Sequence, residues 1–233
     1  MLVIDKEIRE RFPDLNAKTA VVEGVYIERN KSELEEFKQS VFAEIKRKYN
    51  LEGLKNDEKM RKYRDFFWKI DIDPTKIRPA SEALIRRILQ ENPIPRINTA
   101  VDAYNLASVM SGVPLAAFDA DTVVGRLHMR FSKGEMFLGI GMEKPKGLKG
   151  GEIVVSDDRK LVAVYPYRDS EDTKITLKTK KIILMSCGVP GISDKDLEMA
   201  LDYAVEYVRK FWAQSNRYVF LILGMWKCSA QLP

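Results

Sequence analysis

Histidine is nearly missing from this chain of 233 residues, with His128 the only one, and the cysteines are Cys187 and Cys228 alone. One imidazole and two scattered thiols cannot supply the ligand set of a zinc site, so zinc hydrolysis is excluded and no metal is expected. A nucleophilic triad lacks its parts as well. His128 lies in a strand-like run and reads as a packed or surface imidazole, and neither cysteine has a histidine partner in a local motif. The expectation for the thiols is that they stay reduced and inert in a cytoplasmic setting. No apolar run reaches about 18 residues, and the opening MLVIDKEIRERF lacks the apolar stretch of a secretory leader, so neither a membrane span nor a membrane partner is expected. The glycines of GIGMEKPKGLKGGE follow neither the dinucleotide nor the Walker spacing, so no nucleotide cofactor, and no cofactor of any kind, is expected. Internal repeats and low-complexity tracts are also missing.

What the chain does have is charge and a sizeable apolar share. The net charge is +5 with a pI near 9.0, which permits a nucleic-acid partner without requiring one. At this length a chain buries about 70% of its unfolded surface, enough for one domain over 1–233 without a covalent staple. Leu2 to Ile4, a helix capped by Asp5 and stopped by Pro13, and a β-branched strand from Thr19 to Ile27 read as a strand-helix-strand unit. Ser32 and Glu35 form the pattern of a capping box, opening a helix whose stripe of Leu34, Phe37, Val41, Ile45 and Tyr49 runs to about Tyr49. The charged stretch from Lys46 to Arg64 reads first as a solvated, ion-paired face. Its alternative is a phosphate-contacting patch that includes Lys62 and Arg64, next to Tyr63, Phe66, Phe67 and Trp68.

A helix N-capped by Ser81 follows, with Leu84, Ile85, Ile88 and Leu89 inward and Arg86 and Arg87 outward. Pro93 and Pro95 break it, and a second helix spans Thr99 to Ser111 with Gly112 as its C-cap. After Asp121 the pattern changes to strands. Thr122–Phe131 and Glu135–Gly139 read as a hairpin about Ser132-Lys133-Gly134, followed by strands at Ile153–Ser156, Leu161–Tyr165 and Lys181–Met185. Asp194 to Trp212 is an amphipathic helix, and the tail YVFLILGMW reads as a buried strand or helix end. The fold class is α+β, a mixed or antiparallel sheet with packed helices.

The helix from Thr99 is mostly apolar yet holds or adjoins Asn98, Asp102 and Asn105. Such groups require hydrogen bonds when buried, so they anchor a turn or wall a site. This stretch, PRINTAVDAYNLASVMSGVPLAAFDAD, resembles a segment of the phenylalanyl-tRNA synthetase beta subunit written roughly R-P-I-N-N-x-V-D-x-T-N-Y…G-x-P-L-H-A-F-D. The matching positions are Pro95 and Arg96, Ile97, Asn98, Val101, Asp102, Asn105, Gly112, Pro114, Leu115, Ala117, Phe118 and Asp119. The similarity continues through Gly134-Glu135, Gly151-Glu152-Ile153-Val154 and Ser156-Asp157 to the strand ending at Ile183, roughly residues 60 to 190. That segment is the B3/B4-type editing domain, which in the family hydrolyses tRNA-Phe wrongly charged with tyrosine, so the resemblance implies a free-standing relative that binds tRNA or aminoacyl-tRNA.

By the same resemblance Asn105 holds the substrate backbone or a water, and Glu171, with Thr179 eight residues later, recognises a tyrosine hydroxyl. Asn98, Asp102, Tyr104, Ala116, Asp119 and Glu135 are expected around the substrate. Arg86, Arg87 and Arg96, with Lys62 and Arg64, are expected to meet phosphates. The sequence departs from the pattern in three places: Tyr104 stands for a threonine, Ala116 for a histidine and the pair Asp169-Ser170 for a glycine pair. Each polar residue also has a plainer role open to it. Asn98 and Asp102 anchor a turn, Asp119 and Asp121 are turn residues, Glu135 binds hairpin amides and Glu171 is solvated. Two functions therefore stand side by side: a trans-acting deacylase of mischarged tRNA, using positioned water on an already labile ester, and a non-catalytic module that binds tRNA or an amino acid.

Overall fold

The computed structural model describes residues 2–212. Its centre is a helix buried on nearly every side, α5 (Thr99–Ser111). Asn98 caps its start by accepting from the Val101 N–H at 3.0 Å. Gly112 ends it in the left-handed region at φ 71°, where a Cβ would be strained. Around α5 lie α2 (Ser32–Lys48), α4 (Ala80–Leu89) and the long α6 (Asp194–Trp212), whose Leu197, Ala200, Leu201, Ala204 and Val208 are buried. The two remaining helices are α1 (Lys6–Arg11) and α3 (Glu58–Lys69), and the latter buries Met60, Tyr63, Phe66 and Phe67.

The strands form two main sheets. In the three-stranded sheet, β10 (Lys181–Cys187) lies between β2 (Ala17–Glu23) and β3 (Leu115–Asp119), antiparallel to both. Its run KIILMSC is apolar at nearly every position, as a strand paired on both sides and covered by α6 requires. The five-stranded sheet has β1 (Leu2–Ile4) at one edge, parallel to β4 (Leu127–Phe131). It continues through β7 (Ile153–Ser156) and β8 (Leu161–Val164) to the short β9 (Arg168–Asp169). A small ribbon pairs β5 (Met136–Phe137) with β6 (Lys146–Gly147).

Several local expectations are corrected. The hairpin about Ser132–Gly134 does not form, because β4 pairs with β1 and β7 while the segment after the turn pairs with β6. The capping box is not closed: Lys31 is the N-cap of α2, and Ser32 bonds the neighbouring Glu33 carboxylate instead. Ser81 is not the N-cap of α4 either; Pro79 holds that position, and Ser81 is buried inside the first turn. Strand β2 stops at Glu23, since Gly24 turns the chain at φ 73°. Along the charged stretch, Lys46 pairs with Glu91, Lys59 with Asp196 and Arg64 with Glu82, so the ion-paired face is what forms there. Tyr63, Phe66 and Phe67 are core and only Trp68 is exposed. No helix among the described residues is long and apolar enough to cross a membrane. The tail YVFLILGMW and Cys228 lie outside the described residues.

Candidate functional site

The two sheets meet along a seam, and a narrow cleft of about 70 Å³ opens there. Strands β3 and β10 supply one wall through Leu115, Ala116, Met185 and Cys187. The end of β8, the turn Tyr165–Tyr167 and β9 supply the other. Tyr167 and Asp169 both line the cleft. Arg168 turns outward and donates to the Ile140 carbonyl at 2.9 Å.

Asp169 is therefore the one acidic side chain in a mostly apolar cleft. Among the described residues its carboxylate has no hydrogen bond and no ion pair, and the residue is half-buried on the cleft wall. Burial raises its pKa to about 7, with the Arg168 charge opposing in part. Tyr104, on α5, is close enough that the Asp169 charge adds to burial in holding its phenol proton. Cys187 is inert, its thiol pushed well up by burial and by the same Asp169 charge. Two buried tyrosines brace this region: Tyr63 donates to the Cys187 carbonyl at 2.7 Å, and Tyr165 donates to the carbonyl of Gly188.

The residues singled out from the sequence fall in several places. Ala116 is on the cleft wall and Tyr104 is beside it. Asn98 and Asp102 are buried and fully engaged. Asn98 caps α5 and donates to the Ile175 carbonyl at 3.4 Å, while Asp102 accepts from the Ile97 N–H at 3.0 Å and from the buried Lys38 ammonium at 2.7 Å. Lys38 continues to Glu35 at 2.6 Å, and Glu35 to Arg96 at 3.0 Å. Asn105 is half-buried, forms no side-chain hydrogen bond among the described residues, and is not on the cleft wall, so the expectation that all three polar side chains are bonded holds for two of them.

Asp119 accepts from the Thr179 hydroxyl at 2.6 Å and from the Asp121 N–H, fixing a turn. Glu135 binds the Lys133 N–H at 2.6 Å and Arg130 at 2.8 Å. Burial works against its charge, but these partners hold its carboxyl below the usual range. Glu171 lies two residues past Asp169, pairs with Lys174 and does not line the cleft. The five expected phosphate contacts are all engaged within the protein. Lys62 pairs with Glu58, Arg64 and Arg86 reach the buried Glu82, Arg87 donates to the Pro93 carbonyl, and Arg96 pairs with Glu35.

Sequence reasoning missed Asp169. In the charged run YRDSED it looks like one more turn residue, and no local pattern in the sequence sets it apart.

A family model described as the B3/4 domain matches residues 62–212. The phenylalanine–tRNA ligase beta subunit of Psychrobacter arcticus is 34% identical over 89 residues, which is 38% of this chain and 11% of that subunit. The same subunit of Dechloromonas aromatica is 32% identical over 108 residues, 46% of this chain and 14% of the subunit. The matched stretch thus spans a small part of those relatives' length. In shape, the chain is similar to an N-terminal fragment of the phenylalanyl-tRNA synthetase beta subunit from Pyrococcus horikoshii, with a TM-score of 0.51 and 13% identity, over 90% of this chain and 48% of that one.

Proposed function

The chain belongs to the B3/4 domain family, and on that footing we propose that it is an editing-type module acting in trans, which receives the aminoacyl end of a charged tRNA in the seam cleft and hydrolyses the ester. The observation that carries the reading is the place of Asp169, a half-buried carboxyl without a partner on the wall of a mostly apolar cleft, where burial pushes its pKa up to about 7. A group poised there takes a proton from water efficiently at neutral pH. Asp169 accepts a proton from a water as that water attacks the ester carbonyl. The bond from the carbonyl carbon to the ribose oxygen then breaks, and the proton passes on to that oxygen, leaving free amino acid and uncharged tRNA. An aminoacyl ester is labile already, so one base and good positioning suffice.

The cleft also limits the side chain it accepts. At about 70 Å³ it has roughly half the volume of a cavity that holds benzene, so its present shape favours a small side chain over a phenol ring. Ala116, where the related segment carries an imidazole, contributes part of that space. Glu171, tied to Lys174, leaves substrate selection to the cleft walls and to Asp169.

The test is a deacylation screen over a panel of mischarged tRNAs with wild type and Asp169→Asn. The expected result is hydrolysis of at least one pair above the spontaneous rate, rising with pH through about 7, and lost by about a hundredfold or more in the variant. Tight binding of an aminoacyl-tRNA without turnover would instead establish the binding-only module.

A further inference from the structure

The segment from Lys133 to Gly151, which carries the β5–β6 ribbon, exposes Lys133, Lys144, Lys146 and Lys149, and none of the four forms an ion pair among the described residues. The carboxylates around them are used internally. Glu135 is held by Arg130 and the Lys133 N–H. Glu152 accepts from the Ser132 hydroxyl at 2.5 Å and from the N–H groups of Lys149 and Gly150 at 2.8 and 2.9 Å. Among the carboxylates of the ribbon, Glu143 alone stays exposed against these four cations.

The ribbon is joined directly to the cleft. The Ile140 N–H donates to the Asp169 carbonyl at 2.9 Å, Gly139 bridges Ser170, and the Glu171 N–H donates to the Leu138 carbonyl at 2.9 Å. Lys146 is the cross-strand partner of Phe137, three residues before the Ile140 that bonds the Asp169 carbonyl. The lysine-bearing ribbon therefore adjoins the β9 edge of the cleft.

We infer that this ribbon is the docking surface for the phosphates of a single-stranded RNA end, with the lysines as separate point charges and the 3′ terminus directed into the cleft. The inference rests on the proposed function for what enters the cleft, but its own claim is RNA binding. Exposed Met136 and Ile140 would also suit an anionic membrane, and continuity with the cleft favours RNA.

The experiment measures affinity of the full chain for uncharged tRNA between 50 and 200 mM salt. It compares wild type, the triple variant Lys144→Gln/Lys146→Gln/Lys149→Gln, and a control triple at the exposed Lys55, Lys69 and Lys195. Hydrolysis of an aminoacyl-adenosine ester, which lacks phosphates, is followed in parallel, as is binding to vesicles rich in phosphatidylserine. Each lysine–phosphate contact contributes about 0.7 to the slope of log affinity against log salt, so the ribbon triple should flatten that slope by about 2 and weaken binding about tenfold. The control triple should change neither quantity, and ester hydrolysis should be unaffected. Equal losses in both triples, an unchanged slope, no tRNA binding by wild type, or lysine-dependent binding to vesicles alone would overturn the inference. Ribbon-dependent RNA binding without hydrolysis of any ester would sink the deacylase reading and leave the docking surface standing.

Discussion

Replacing Asp169 by Asn should make the protein more stable, and increasingly so as pH rises. Burial lifts this carboxyl from 3.8 to about 7. Between those values the folded protein keeps a proton that the unfolded chain has already released. Fewer protons are then bound in the unfolded state, so stability falls as pH rises across that window and is level above it. Each tenfold change in proton affinity is worth about 1.4 kcal/mol, which sets an upper bound of about 4 kcal/mol. Solvent reaches the group through the cleft mouth, and a discount for that screening leaves about 2 kcal/mol. An asparagine carries no charge, so its own unpaired amide costs the same at every pH. Urea unfolding of wild type and Asp169→Asn at pH 4, 5.5, 7 and 8.5 should show the variant's relative stability growing by about 2 kcal/mol from the lowest pH to the highest, with the change centred between 4 and 7. A constant difference across the series would refute the reasoning, because it would mean that the carboxylate pays no penalty for its charge.

Two further outcomes concern the polar frame of α5. Lys38→Met leaves the Asp102 carboxylate buried without its cation and should cost about 3–5 kcal/mol in urea unfolding, part of which Asp102→Asn restores in the double variant. Asn98→Ala removes the helix cap and the bond to Ile175 and should cost about 1–2 kcal/mol; Asn98→Asp, which keeps the accepting oxygen, should cost less in the same assay.

Elements governed by local rules were legible in the sequence. Gly112 ends α5 because only a residue tolerant of positive φ serves there, and the polar residues in that apolar helix signalled burial with partners, as Asn98 and Asp102 show. Pairing across long separations was not. The Ser132-Lys133-Gly134 turn suggests a hairpin locally, but the Ser132 N–H bonds the Glu152 carbonyl and the Gly151 N–H returns to Ser132, so 133–150 is an excursion between β4 and β7. Charge pairing was equally hidden: Arg64 on α3 and Glu82 on α4 are 18 residues apart in sequence and meet only in the fold. Asp169 escaped notice for a related reason, since only the approach of β3 and β10 encloses it.

The position of β10 also dictates an order of events during synthesis. Its partners are β2, made some 160 residues earlier, and β3, and neither of these pairs with the other. All five strands of the larger sheet leave the ribosome by residue 169, whereas β2 and β3 wait for 181–187 to emerge. At about 5–20 residues per second, β2 remains without its strand partner for roughly 8 to 30 seconds. Through that interval Val22 and its neighbours are an uncovered edge, and the charged Lys18 and Glu23 near its two ends are what it carries against pairing with another chain.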